Sequence, residues 1–310
     1  MRRDAPTFFC PTKDELQSTC VYVRTYEEIK ALARPLAKVK FYFREPSQYK
    51  SYRYWNQRSK MTFDVAEYQL SPDYPPDKES SWHYPPEADG WCAVHRALKG
   101  EIALLAEAFA AIKSRGRGLV DWEIKSIQTV FAGHFEHVHW HHHDEDDSFV
   151  PFMKQRVRYP DKLEADHPKI EAQCELVKQA IEGLKEGDTL DEIIVEWKKY
   201  GDMICPHMDE EEATALLLLR AYFKPEDLKP VIEYIMKFGP KIEMGSCIYF
   251  MGIEKFRKEF MPQEKIPFFV WHIGFQFRLA EFKGRVIKHI DALKCGEKPS
   301  EGADHRCTIS

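Results

Sequence analysis

Four segments of this 310-residue chain repeat apolar residues at steps of three or four, and each of the four stripes is interrupted by histidine. The first runs His95, Leu98, Ile102, Leu105, Phe109 and Ile112 and stops at Ser114-Arg-Gly-Arg-Gly, a C-terminal cap signature. The second puts Phe131, His134, Val138, His141, Glu145, Phe149 and Phe152 on one face. The third runs Ile170, Cys174, Val177, Ile181 and Leu184, with His167 at its head. The fourth opens on Thr189-Leu-Asp-Glu192, a capping-box spacing, and continues through Ile193, Trp197, Tyr200, Ile204, His207, Glu211, Ala215 and Leu218. Such stripes make amphipathic rods, and short connections between rods favour antiparallel neighbours. The expected fold is therefore all-α, an up-down four-helix bundle.

An ionisable group on a core stripe is costly unless it is paired or bound to a metal. His141 and Glu145 stand at i, i+4, as do His207 and Glu211, so each pair projects from one helical face. His95 and His167 complete the set. A single core histidine is ordinarily just hydrogen-bonded; the same interruption on four helices points to a shared cation. Imidazole and carboxylate without thiolate suit Fe, Mn or Zn and argue against an iron–sulfur cluster. His-Glu-x-x-His is absent, so a zincin protease is not indicated, and the Glu-x-x-His order of ferritin-like proteins is missing at the expected places.

The segments Trp91-Cys-Ala-Val-His-Arg-Ala-Leu, His141-His-His-Asp-Glu-Asp-Asp-Ser-Phe-Val-Pro, Asp166-His-Pro-Lys-Ile and His207-Met-Asp-Glu-Glu-Glu resemble, in order, the hemerythrin-like (HHE cation-binding) family over roughly residues 91–223. Ala221-Tyr-Phe-Lys-Pro-Glu-Asp-Leu looks like the continuation in plant iron-regulating hemerythrin-type ubiquitin ligases. No RING or zinc-ribbon cysteines follow, so ligase activity is not implied. The resemblance implies two iron ions bridged by oxygen and by carboxylates. Its matching ligands are His95, His141, Glu145, His167, His207 and Glu211, with O2 or another small molecule taken at an open position. Where oxygen-binding members supply a second ligand one turn after the third-helix histidine, this chain has Glu171, which can ligate, bridge or face solvent. Pro168 disfavours helix at His167, so the third helix is expected to begin near that point. Pro206 is expected to kink the fourth beside His207.

The functional expectation is a non-haem di-iron protein that binds oxygen or another small diatomic, or senses iron or oxygen. A di-iron oxidoreductase activating O2, peroxide or nitric oxide is the alternative. A regulatory module whose metal stabilises a binding surface is a third class. His134 and His137 lie near the face of His141 and read as cavity-lining or supporting groups, and His142 as a neighbour of the ligands. His139 and His143 read as solvated, and Asp144, Asp146 and Asp147 as an exposed acidic face.

Around the bundle, residues 1–90 form a mostly irregular extension rich in Tyr, Trp, Arg and Pro, with a short helix over Thr25–Lys40. Its Tyr52-Arg-Tyr-Trp55 segment reads as a wrapping arm, or else as a lid. Residues 224–293 read as additional helices, with Trp271-His272 in their core, and 294–310 as a polar tail. The net charge of −5 comes from intermixed signs without a basic stripe, so no nucleic-acid partner is expected. Apolar runs such as Ala215–Leu219 and Phe268–Trp271 are too short to span a bilayer, and no secretion signal opens the chain. Eight scattered cysteines without Cys-x-x-Cys fit a reducing compartment, so a cytoplasmic protein is expected. Cys307-Thr-Ile-Ser310 matches a farnesylation pattern, and a lone prenyl chain gives only weak, reversible membrane association.

Overall fold

The computed structural model describes residues 63–77, 80–239 and 241–299. The helix expected over Thr25–Lys40, the Tyr52–Trp55 segment and the Cys307 motif lie outside the described residues. Within them the secondary structure is helical, and a lone bridge between Gln69 and Val157 is the nearest approach to a strand.

Four long helices carry the predicted stripes: α1 (Gly90–Lys113), α2 (Asp121–Asp144), α3 (Asp161–Glu182) and α4 (Asp191–Ala213). Each packs on the next and α4 returns to α1, closing a four-helix ring. The α1–α2 and α3–α4 connections lie at one end, where Leu119 donates to Asp188 and Gly187 donates back to Leu119. Asp89 starts α1 by accepting the Trp91 N–H, and the helix stops at Ser114, with Gly116 at φ 63°. The α2 rod does not end at Asp144. A π-type turn, Glu145–Phe149, carries it into Val150–Met153.

Two local expectations are corrected. Pro168 does not open the third helix; it sits inside α3, which begins at Asp161. Pro206, where a kink is expected, is also inside its helix, α4. Both prolines are on exposed faces, so water can satisfy the carbonyls one turn back, while buried residues such as Leu163, Ile170 and Ile204 hold the rods in place. Thr189 does not cap α4: Leu190 holds that position, and the Thr189 hydroxyl bonds Asp191 at 3.1 Å instead.

The bundle interior divides into two apolar clusters. One contains Leu98, Leu105, Phe109, Ile127, Ile170, Val177 and Ile204. The other gathers Trp91, Phe149, Met153, Leu163, Leu216 and Leu219 at the opposite end. Burying a side chain of this kind contributes about 1.5–3 kcal/mol, so these layers carry most of the bundle's stability.

Beyond α4 come α5 (Ala215–Tyr222), α6 (Pro225–Phe238), α7 (Lys241–Met251), a helical stretch α8 over 253–263, and α9 over 269–295. The rods α7 and α9 pack on each other and against α1 and α2, adding Phe282, Val286 and Ile290 to the bundle core. Gly245 permits that approach, because a Cβ there would meet the Arg278 carbonyl and stand 2.8 Å from Phe282 Cβ. Trp271 is buried, as expected, whereas His272 is exposed. Residues 63–89 cross the second cluster's end: Trp82 Nε1 donates to the Phe223 carbonyl at 2.9 Å, and the Tyr222 hydroxyl to Val65 at 2.7 Å. Among the described residues no helix is long and apolar enough to cross a membrane. Cys92, Cys174, Cys205 and Cys247 are free thiols.

Candidate metal centre

Between the two apolar clusters lies one polar layer. On α1 it follows Trp91 and precedes Leu98; on α3 it falls between Leu163 and Ile170. It consists of His95 from α1, His141 and His142 from α2, Glu145 at the π-type turn, His167 from α3, and His207 and Glu211 from α4. None of these residues is more than 6% exposed. Extra-wide turns of this type recur where a helix presents a functional group, and here the turn opens at the inward carboxylate.

The donor atoms fall into two groups. His95 and His141 converge with Glu145 and Glu211, and His142, His167 and His207 form the second group. Glu145 Oε1 stands 3.4 Å from His141 Nε2 and 3.8 Å from His95 Nε2, while its Oε2 stands 3.5 Å from His167 Nε2. Glu211 has the matching arrangement: Oε2 is 3.4 Å from His95 Nε2, and Oε1 is 3.5 Å from His167 Nε2 and 3.3 Å from His207 Nε2. Each carboxylate therefore turns one oxygen to each histidine group.

The rings are held from behind. His95 Nδ1 lies 3.1 Å from Glu212 Oε1, and His167 Nδ1 lies 2.8 Å from Asp146 Oδ1. A carboxylate can only accept, so Nδ1 carries the proton in both rings, and the neutral tautomer turns its Nε2 lone pair into the layer. Trp91 Nε1–H donates to Glu145 Oε1 at 2.5 Å. Burial opposes charge on His95, yet the carboxylates of Glu145 and Glu212 lift it to about 9. His167 rises to about 10 on Asp146 and Glu211, again against burial. Burial, then the neighbouring His95 and His142, pushes His141 well below its usual value. The layer is thus an acidic, dry environment that favours a cation.

A metal fits these residues. The Nε2 atoms of His95, His141, His142, His167 and His207, with Glu145 Oε2 and both Glu211 oxygens, are buried without a hydrogen-bond partner. Buried polar atoms of that kind are normally satisfied, and bound cations would satisfy them. The separations of 3.3–3.8 Å suit donors sharing one ion at the usual distance of about 2.0–2.2 Å.

Residues 88–219 match the family model described as the hemerythrin HHE cation binding domain. This segment is a hemerythrin domain. Hemerythrin domains bind non-haem iron, and the His/Glu clusters fit such a metal site. No curated protein and no solved structure matches the chain.

All six residues singled out in the sequence meet in the polar layer of the hemerythrin domain. His142 joins them: its ring stacks on that of His167 at 4.5 Å, and both its nitrogens lack a hydrogen bond. Adjacent helical residues diverge by about 100°, which hid His142 behind His141. The available signal was the missing second ligand on α3. Glu171 stands 3.5 Å behind His142 Nδ1 and 3.4 Å from His139, at 40% exposure, outside both donor groups.

The acidic run is corrected at Asp144, while Asp146 and Asp147 are exposed as expected. Asp144 is buried, and burial lifts its carboxyl to about 6 against the pull of His143. Asp146 positions His167, while Asp147 faces solvent. His139 is exposed and His143 borders on exposed. His134 and His137 belong to a separate polar cluster deeper in the hemerythrin domain. Their Nδ1 atoms donate to Glu101 at 2.8 and 2.9 Å, Ser246 of α7 donates to the same carboxylate, and the Tyr200 hydroxyl donates to His134 Nε2 at 2.9 Å. Burial works against the Glu101 charge, but His137 and His134 hold it down to about 2.

Proposed function

We propose that the protein is a non-haem di-iron protein that binds O2 or another small molecule at this layer. The observation that supports the reading is the division of oxygens: Glu145 and Glu211 each offer one oxygen to the His95/His141 group and one to the His142/His167/His207 group. Two ions held between these carboxylates would take up every unpartnered Nε2 and carboxylate oxygen of the layer, whereas one ion would leave several without a partner. The ligand set is His95, His141, Glu145, His167, His207 and Glu211, with His142 added.

The two positions are unequal. The first has two imidazoles and two carboxylate oxygens, and the second has three imidazoles and two. The poorer position keeps room for an external ligand, as open metal sites do. Iron, when bound, supplies reversible coordination and redox capacity there. The chain's own residues do the rest. Glu212 and Asp146 retain the Nδ1 protons and fix the rings, Trp91 orients Glu145, and the flanking apolar clusters exclude water.

Metal analysis of protein loaded anaerobically with ferrous iron should give about two ions per chain. An oxygenated spectrum that reverses on degassing then supports ligand binding. Sustained consumption of O2 over many turnovers would instead identify an oxidoreductase, and failure to retain iron would remove the reading altogether.

A further inference from the structure

The polar layer has a solvent-facing neighbour where α2 and α3 meet. Glu171 Oε1 stands 3.5 Å from His142 Nδ1 and 3.4 Å from His139 Nδ1. The three side chains step inward from solvent: His139 is 58% exposed, Glu171 40% and His142 1%. The helices dictate this placement. Glu171 lies one turn after His167 on α3, and His139 lies one turn before His142 on α2. The two rods run antiparallel, so both residues extend the His142–His167 ring stack in the same direction.

Glu171 differs from the carboxylates that hold the other rings. Glu212 and Asp146 hydrogen-bond His95 and His167 at 3.1 and 2.8 Å, and Glu212 is also paired with Lys99 at 3.2 Å. The His142 Nδ1, buried and turned to Glu171, makes no hydrogen bond, and neither does its Nε2. With nothing fixing its tautomer, His142 can present a lone pair on either nitrogen. His142 also belongs to the donor group with His167 and His207. One residue therefore touches the surface pair and joins the layer.

Resting on the di-iron reading, we propose that Glu171 and His139 form a loading site through which divalent cations such as ferrous iron reach the layer, with His142 as the link. A carboxylate oxygen and an imidazole nitrogen 3.4 Å apart suit two donors sharing one ion at about 2.0–2.2 Å from each. Two protein donors leave the rest of the coordination to water, so the pair holds a cation weakly and can pass it on. The dry layer makes such a step useful. A cation is costly to strip of its water all at once, and exchanging that water stepwise for fixed donors lowers the barrier. Glu171 and His139 thus set how fast the layer fills, not how tightly the filled layer holds its ions.

The test follows anaerobic uptake of ferrous ion by metal-free full-length protein, with a chromophoric chelator reporting the free ion. His139→Ala and Glu171→Gln, both at the surface, should keep the parent's melting temperature within a few degrees and fill to the same content of about two ions per chain. Each should take up iron about tenfold more slowly than the parent. Each should also release it to excess chelator more slowly by a similar factor, so that affinity stays within about twofold. Glu175→Gln removes a partly exposed charge one turn further along α3 and should load at the parent's rate. Equal slowing in E175Q overturns the proposal, because net charge alone would then explain the effect. A parent-like uptake rate in either H139A or E171Q overturns it as well. So does a loss of affinity carried wholly by faster release, since Glu171 would then only position His142. If the parent takes up no iron, the di-iron reading fails and the loading site falls with it.

Discussion

Glu212 Oε1 lies 3.1 Å from Nδ1 of His95, while the preceding residue, Glu211, faces Nε2 of the same ring at 3.4 Å. Consecutive residues of α4 thus hold opposite edges of one α1 imidazole. The ring is fixed in orientation and its tautomer is set. Glu212→Gln removes the charge behind the ring while keeping an acceptor. Metal should still bind, but about 10–100-fold more weakly in competition with a chelator. An unchanged affinity would show that the contact does not tune the ligand.

His142 carries a sharper prediction. With His167 and His207 it makes up one donor group, and it lies outside the other. His142→Ala should lower iron from about two ions per chain to about one, leaving the His95/His141 position filled. Retention of both ions would exclude His142 from the ligand set.

The helical stripes made the bundle and most of its polar layer legible in sequence, because a 3.6-residue period marks every inward position, histidines included. His142 escaped because it breaks that period, standing one residue beyond His141 on a neighbouring face. Asp144 escaped because a charged run reads as a solvated surface, whereas Asp146 and Asp147 are exposed as that reading expects, Asp146 accepting from His167 as well. Pro168 misled for a local reason: the rule weighs the lost hydrogen bond, and here solvent can replace it while buried neighbours keep the helix. Ser246, one turn of α7 set against Glu101 from a distant part of the chain, had no signal in sequence at all.

The packing of α7 on α9 depends on Gly245. A Cβ at that position would run into the Arg278 carbonyl and approach Phe282 Cβ to 2.8 Å. Gly245→Ala should destabilise the fold by about 1–3 kcal/mol in urea unfolding, despite the better helix propensity of alanine. A neutral or stabilising effect would mean that the two helices do not meet as closely as described.

Asp89 gives stability a pH dependence. It caps α1 and lies 3.4 Å from Arg220. Burial raises its carboxyl to about 6, against the Trp91 amide and Arg220, which lower it. A carboxyl whose folded pKa exceeds its unfolded one binds its proton more tightly in the folded state. Its contribution is therefore fully present below the unfolded value and is lost as pH rises through about 6. The loss is on the order of 3 kcal/mol between about pH 4 and pH 7. Asp89→Asn retains a capping side chain and lacks this titration. The stability difference between D89N and the parent should move in favour of D89N over that range; a difference independent of pH would contradict the assignment.

The most direct measurement is anomalous diffraction at the iron edge from crystals of the loaded full-length protein. Two peaks should appear between Glu145 and Glu211, one against His95 and His141 and the other against His142, His167 and His207. A single peak, or peaks outside this layer, would contradict the paired-iron centre.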